Sequence, residues 1–206
     1  MKLVQVAGYL GSGKTSLIIA LVKLLSEQGA KIAVLVNDVG EIPVDGRVMQ
    51  EYGLTVKDIG GGCICCQVAG TMMKTLEALA KSQQPDIIII EPTGMAVPES
   101  IRSTVLLTSS KTGIIIGPTI VLFDTTRADK FLTYETLQRL VNTQLRDADV
   151  IALSKADAVS SEAVQKAETA VAGINPAARR QRLSVRTGEG IPQLAQVILG
   201  TEVAVS

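Results

Sequence analysis

Residues 8–15 read Gly8-Tyr9-Leu10-Gly11-Ser12-Gly13-Lys14-Thr15, a complete G-x-x-x-x-G-K-[ST] pattern that restricts both fold and ligand class. The pattern requires a strand before it and a helix after it, and both are legible. Leu3–Ala7 is a short strand-forming run. Thr15–Glu27 carries Leu17, Ile18, Leu21, Leu24 and Leu25 at helical spacing, with Gly29 as a stop. Glycines let backbone N–H groups curl around phosphate oxygens, and the helix N-terminus adds a favourable dipole. Gly8, Gly11, Ser12, Gly13, Lys14, Thr15 and Ser16 are therefore the expected cradle. Lys14 is expected to reach the β- and γ-phosphates, and the Thr15 hydroxyl to ligate Mg²⁺. A glycine turn that merely precedes a helix is the competing reading, and a full match in the right context leaves it little room.

Beyond the cradle, strands alternate with helices. Lys31–Val36, the isoleucine run Asp86–Ile90, Thr119–Phe123, Val150–Leu153 and Arg182–Val185 read as strands. Gln67–Lys81, Pro98–Leu107, Tyr134–Leu145, Ser161–Val171 and Ile191–Leu199 read as helices. Between Asn37 and Gly62 periodicity fades, which predicts a long functional loop with one short helix or strand inside it. The alternation implies right-handed crossovers and a mostly parallel sheet with helices on both faces. The expected fold is an α/β P-loop NTPase, a single GTPase domain over residues 1–206 with no C-terminal accessory domain. Hydrophobic residues make up 47% of the chain and aromatics only 2%, so the core is expected to be aliphatic.

Twenty basic and twenty acidic side chains cancel, which removes any bulk electrostatic case for nucleic acid or an anionic membrane. The cluster Arg179-Arg180-x-Arg182 reads as a solvated strand edge. The apolar stretch from Gly113 to Phe123 is too short to span a bilayer and is interrupted by Pro118. All three cysteines are packed into residues 63–66, which is no disulfide framework, so a cytoplasmic location is expected.

Ser154-Lys155-Ala156-Asp157 follows a buried run, where a guanine-reading [NT]-K-x-D loop stands in a GTPase. The Asp157 carboxylate would accept from guanine N1–H and the exocyclic amine, and the Lys155 stem would lie along the purine. Ser184-Val185-Arg186 opens a second loop, whose backbone amides would meet guanine O6. Ser154 stands where asparagine is usual, which removes one amide contact. Glu91, ending the isoleucine run, is placed to hold a Mg²⁺-bound water; a carboxylate simply leaving a strand for solvent is the alternative. Asp38 is a candidate direct or outer Mg²⁺ ligand. Glu41 is a candidate water-orienting or metal-binding group. Both compete with a reading as solvated loop acids.

Gly60-Gly61-Gly62-Cys63-Ile64-Cys65-Cys66 is the second informative stretch. If it is extended, Cys63 and Cys65 point to one side, and thiolates suit soft or borderline ions such as Zn²⁺, Co²⁺ or Ni²⁺. Buried cysteine acting as a small hydrophobe is the bland alternative.

These segments in this order, together with Asn37-Asp38-Val39-Gly40-Glu41 and Glu91-Pro92-Thr93-Gly94-Met95-Ala96, strongly resemble the CobW-like metallochaperone GTPases, relatives of the nickel-insertion GTPases for urease and hydrogenase. The resemblance implies GTP hydrolysis coupled to delivery of a transition metal to a client metalloenzyme or its assembly factor. It also implies that Cys63, Cys65 and Cys66 bind the metal, and that Asn37–Cys66 changes shape with the nucleotide. Asp38 replaces the family's usual glutamate, and Arg127 stands where a histidine often sits. The chain has no histidine at all, so such a site must be all-sulfur, sulfur plus oxygen, or shared across a homodimer. A GTPase chaperone for a corrinoid or other cofactor enzyme, without metal transfer, is one alternative. A P-loop small-molecule kinase is another.

Overall fold

The computed structural model describes residues 1–36, 55–58 and 67–200. Among the described residues, seven strands form: β1 (Lys2–Gly8), β2 (Ile32–Val36), β3 (Thr55–Asp58), β4 (Ile87–Glu91), β5 (Ile115–Asp124), β6 (Val150–Ser154) and β7 (Arg179–Arg182). They form one sheet in the order β3-β2-β4-β1-β5-β6-β7, with parallel pairing throughout. The helices are α1 (Lys14–Glu27), α2 (Gln67–Ser82), α3 (Pro98–Thr112), α4 (Ala128–Thr133), α5 (Glu135–Arg146), α6 (Ser161–Ile174) and α7 (Ile191–Leu199).

Burial follows from the alternation of side chains across the pleat. Val4, Val6, Val34, Ile87, Ile89, Ile120 and Leu122 meet Leu17, Leu21 and Leu25 of α1 and Leu194 and Ile198 of α7. On the opposite face, Leu3, Ala33, Leu35, Ile88 and Ile90 pack with Met72, Leu76 and Leu79 of α2 and Val105 of α3. A third cluster sets Ala7, Val121, Phe123, Ile151 and Leu153 against α4, α5 and α6. Each central strand is therefore apolar on both faces, as strands covered on both sides must be.

Three differences from the sequence reading have clear causes. β5 begins at Ile115 rather than Thr119, because Gly117 and Pro118 are carried in a bulge. Register with β1 jumps from Leu3↔Ile116 to Gln5↔Thr119 there, which spares Pro118 from a ladder it cannot complete. The last strand is Arg179–Arg182, not Arg182–Val185. Leu183 and Ser184 are buried, but in the loop beyond the strand, so their burial resembled strand patterning. Helix α3 runs on to Thr112 and stops at Gly113, which adopts φ 66°. Its hydroxyls fold back on the helix, as with Thr104 to the Ser100 carbonyl and Thr112 to the Thr108 carbonyl.

The strand β1 sits between β4 and β5; the chain builds β2 and β3 on one side, returns to place β4 beside β1, and then crosses to β5 on the other side. Such a reversal opens a crevice at the carboxyl ends of the strands, where ligands of open α/β sheets bind. The P-loop, Glu91, Asp124 and Ser154 all lie at that edge.

Candidate functional site

The cradle follows β1 directly. Gly8, Gly11 and Gly13 hold φ of 138°, 71° and 98°, the left-handed region that only glycine enters without strain. At Gly8 the space is also closed: a Cβ would lie 2.6 Å from the Leu122 carbonyl oxygen. Helix α1 begins at Lys14 with no acidic residue in its first turn and no side-chain cap. The dipole of a helix that starts without an acidic cap favours an anion there. Lys14 is buried at the mouth of this turn.

Thr15 donates its hydroxyl to the Glu91 carboxylate at 2.7 Å, and Glu91 is 8% exposed. Glu91 is thus drawn into the site rather than released to solvent. The hydroxyl and carboxylate supply two hard oxygen donors beside the cradle, the chemistry that Mg²⁺ selects. The residues present fit that ion.

The back of the loop is tied off with unusual completeness. Three successive carbonyl oxygens, of Leu10, Gly11 and Ser12, each accept from a different side chain. Arg127 Nη2 reaches Leu10 at 2.7 Å, Lys155 Nζ reaches Gly11 at 2.9 Å, and Ser154 Oγ reaches Ser12 at 2.9 Å. Ser154 therefore keeps a link to the cradle where asparagine was expected. Arg127 and Lys155 are in turn held by Asp124, whose Oδ2 accepts from Arg127 Nε and Lys155 Nζ at 2.8 Å each. Asp124 is fully buried. Burial pushes its carboxyl up, but hydrogen bonds from Lys155 and Thr126, with the charges of Lys155 and Arg127, outweigh it and hold the group below the usual carboxylate range. The Arg127 guanidinium also stacks over Phe131 at 5.0 Å and Tyr9 at 5.7 Å. Tyr9, Phe123 and Phe131 form an edge-on cluster here, so three of the chain's five aromatic side chains lie under the cradle.

A cavity of about 480 Å³ opens beside the loop. Ser12, Gly13 and Ser16 form one wall, and Lys155, Asp157, Val185 and Arg186 form the other. Lys155 sits at φ 57°, a left-handed conformation that turns the chain from β6 toward Asp157. The Ser184 hydroxyl and the Arg186 guanidinium hold the Asp157 carboxyl below its ordinary range, with Arg186 Nε at 2.6 Å. An ionised acceptor therefore faces the cavity. The Ser184 loop is closed on itself by bonds from Ser184 N to the Glu189 oxygen and from Gly188 N to the Ser184 oxygen.

The structure thus brings the P-loop, Thr15, Glu91, Ser154, Lys155, Asp157, Ser184, Val185 and Arg186 to one edge. Asp38, Glu41, Cys63, Cys65 and Cys66 lie outside the described residues. Sequence reasoning missed Asp124 and Arg127 as parts of the cradle. Their signal was an acid ending a buried strand with a base three residues on, which is common enough to pass unread.

Residues 2–181 match the CobW/HypB/UreG nucleotide-binding domain. The zinc chaperone YeiR of Escherichia coli is 33% identical over 162 residues, covering 78% of this chain and 48% of its own length. Among solved structures, Zn(II)-bound YjiA GTPase from E. coli is 27% identical with a TM-score of 0.62, covering 89% of this chain and 57% of that one. Hydrogenase maturation factor HypB from Archaeoglobus fulgidus is 21% identical with a TM-score of 0.73, covering 98% and 90%, and shows likeness of fold. The chain spans about half the length of the curated relatives it matches. Among the described residues, no helix is long and apolar enough to cross a membrane.

Proposed function

The chain belongs to the CobW/HypB/UreG family, and from that premise we propose that it is a cytoplasmic GTPase that couples its nucleotide state to carrying a transition metal for a client metalloenzyme. The observation that carries the nucleotide half is the Thr15–Glu91 bond beside an uncapped helix start, with an ionised Asp157 across the adjoining cavity. Phosphate, metal and base would each meet the side chain their chemistry requires.

In this reading the amides of Gly11, Gly13, Lys14 and Thr15 bind the phosphates, that of Ser12 being turned to the Tyr9 carbonyl, and Lys14 neutralises the β- and γ-oxygens. Thr15 and Glu91 would hold Mg²⁺, directly or through water, with Asp38 a further candidate ligand; the ion would supply neutralisation of phosphate charge. Asp157 selects guanine by accepting two N–H bonds that adenine does not offer in that arrangement. The amides of Val185 and Arg186 would take up O6, the Ser184 amide being bonded to the Glu189 carbonyl, and the Lys155 stem would cover one purine face.

The cargo would bind at Cys63, Cys65 and Cys66, with Glu41 a further candidate ligand. Zinc is the favoured ion because relatives carry the name zinc chaperone; thiolates suit it well. With no histidine in the chain, a fourth ligand would come from oxygen, water or a second copy. The test is anaerobic zinc titration of the reduced protein in GDP and in a non-hydrolysable GTP analogue, with Cys65→Ala and Cys66→Ala as controls. Affinity that differs between nucleotides and falls in both variants supports coupling. Equal affinity in both nucleotides, or unchanged stoichiometry in both variants, refutes it.

A further inference from the structure

Gln144 is a polar side chain at a core position of α5, only 1% exposed, with Val141 and Leu145 buried beside it. A buried carboxamide is costly unless its hydrogens find acceptors. Here one nitrogen uses both: Nε2 donates to the Gly94 oxygen at 3.1 Å and to the Ala96 oxygen at 2.9 Å. These carbonyls lie some fifty residues away in the loop that follows β4. Fixing both sets the backbone on either side of Met95, whose side chain is turned outward at 65% exposure.

The loop so held is pressed against the cradle. A Cβ at Gly94 would come within 2.6 Å of Leu10 N and 2.7 Å of the Leu10 side chain, so the bare backbone of Gly94 packs directly on the P-loop. Three residues earlier the same segment carries Glu91, bonded to Thr15. Lys14 and Thr15 mark the end of a P-loop where the terminal phosphate and its ion sit. The base cavity lies on the other side, against Lys155 and Asp157. The loop from Glu91 to Ala96 therefore borders the position of the γ-phosphate and stands away from the base.

We infer that Gln144 is a positioning residue for recognition of the terminal phosphate, holding the loop at Gly94–Ala96 against the P-loop so that the site favours a nucleoside triphosphate over the diphosphate. This inference rests on the guanine-nucleotide reading above and assigns part of its discrimination to a helix that touches no ligand. Gln144 does not contact nucleotide; it removes part of the freedom the loop would otherwise lose when the γ-phosphate arrives, and the remainder is lost on binding. A residue acting this way changes affinity for GTP and leaves GDP alone, whereas a general scaffold residue weakens both.

The experiment compares wild type with Gln144→Met, which keeps side-chain length and volume but has no donor. Affinities for GDP and for a non-hydrolysable GTP analogue are measured by calorimetry with Mg²⁺ present, with circular dichroism confirming the fold. Losing two neutral hydrogen bonds predicts about tenfold weaker binding of the analogue, with GDP binding within about twofold of wild type. Equal losses for both nucleotides, no loss for either, or tighter binding of the analogue overturns the inference. Hydrogen exchange in the wild type supplies a measurement that needs no variant. The amides of residues 93–97 are expected to be better protected in the analogue complex than with GDP, and equal protection overturns the assignment even if Gln144→Met fails to fold. Wild-type protein that binds neither guanine nucleotide refutes the functional reading itself, and this inference with it; binding of both with the wrong pattern refutes only the role of Gln144.

Discussion

Asp124→Asn is the sharpest test of how the cradle is held. The wild-type carboxylate is fully buried and accepts from two cations at 2.8 Å. Removing one partner of a buried ion pair typically costs about 3–5 kcal/mol, because the remaining charge is stranded. Here the stranded groups retain some water, with Lys155 42% and Arg127 30% exposed, so the cost falls to the foot of that range or below it. A loss of about 2–3 kcal/mol is expected, which for a chain of this size lowers the melting temperature by roughly 5–10 °C. The same change loosens the side chains that secure the Leu10 and Gly11 carbonyls. Affinity for GDP and a GTP analogue should therefore fall together, by about tenfold. Thermal unfolding by circular dichroism and binding of a fluorescent guanine nucleotide read the two effects. A variant that melts within about 1 °C of wild type and binds both nucleotides normally would refute the claim that Asp124 organises the cradle.

Acid should reveal the same group. The Asp124 carboxyl is depressed in the folded chain, so its stabilisation is complete above the unfolded value of 3.8 and is lost as pH falls through the lower folded value. Urea unfolding should show a constant gap between wild type and Asp124→Asn above about pH 5 that closes below about pH 4. Glu91→Gln is expected to abolish most of the Mg²⁺-dependent gain in GTP affinity and to slow turnover at least about tenfold, measured by calorimetry and phosphate release. Asp157→Asn should erase the preference for GTP over ATP, read by competition binding, while leaving the melting temperature near wild type because its ion-pair partner Arg186 is exposed to water.

What the sequence disclosed and what it hid divide along one line. Signals carried by neighbours in the chain were readable. The isoleucine run became a doubly buried strand, and the P-loop pattern became a P-loop with its expected helix. Ile191–Leu199 has the bounds that its periodicity indicated. Contacts joining distant segments were not readable. Arg127 meets Leu10 across 117 positions and Ser154 meets Ser12 across 142. Gln144 looked like any polar residue on a helix, because nothing local says that two carbonyls await it. The short helix α4 escaped notice for a related reason: six residues cannot show a period, and Phe131 is fixed by ring contacts with Tyr9 and Phe123.

The ties behind the P-loop have a consequence for how this domain can change its taste in nucleotides. Two letters of the Ser154–Asp157 segment do masonry for the phosphate cradle, whereas Asp157, the proposed reader of the base, lines the cavity and has no such tie. If Asp157 reads the base as proposed, an altered nucleobase preference is reachable in one step at position 157. Substitution at Ser154 or Lys155 would disturb the grip on every nucleotide at once, whatever its base.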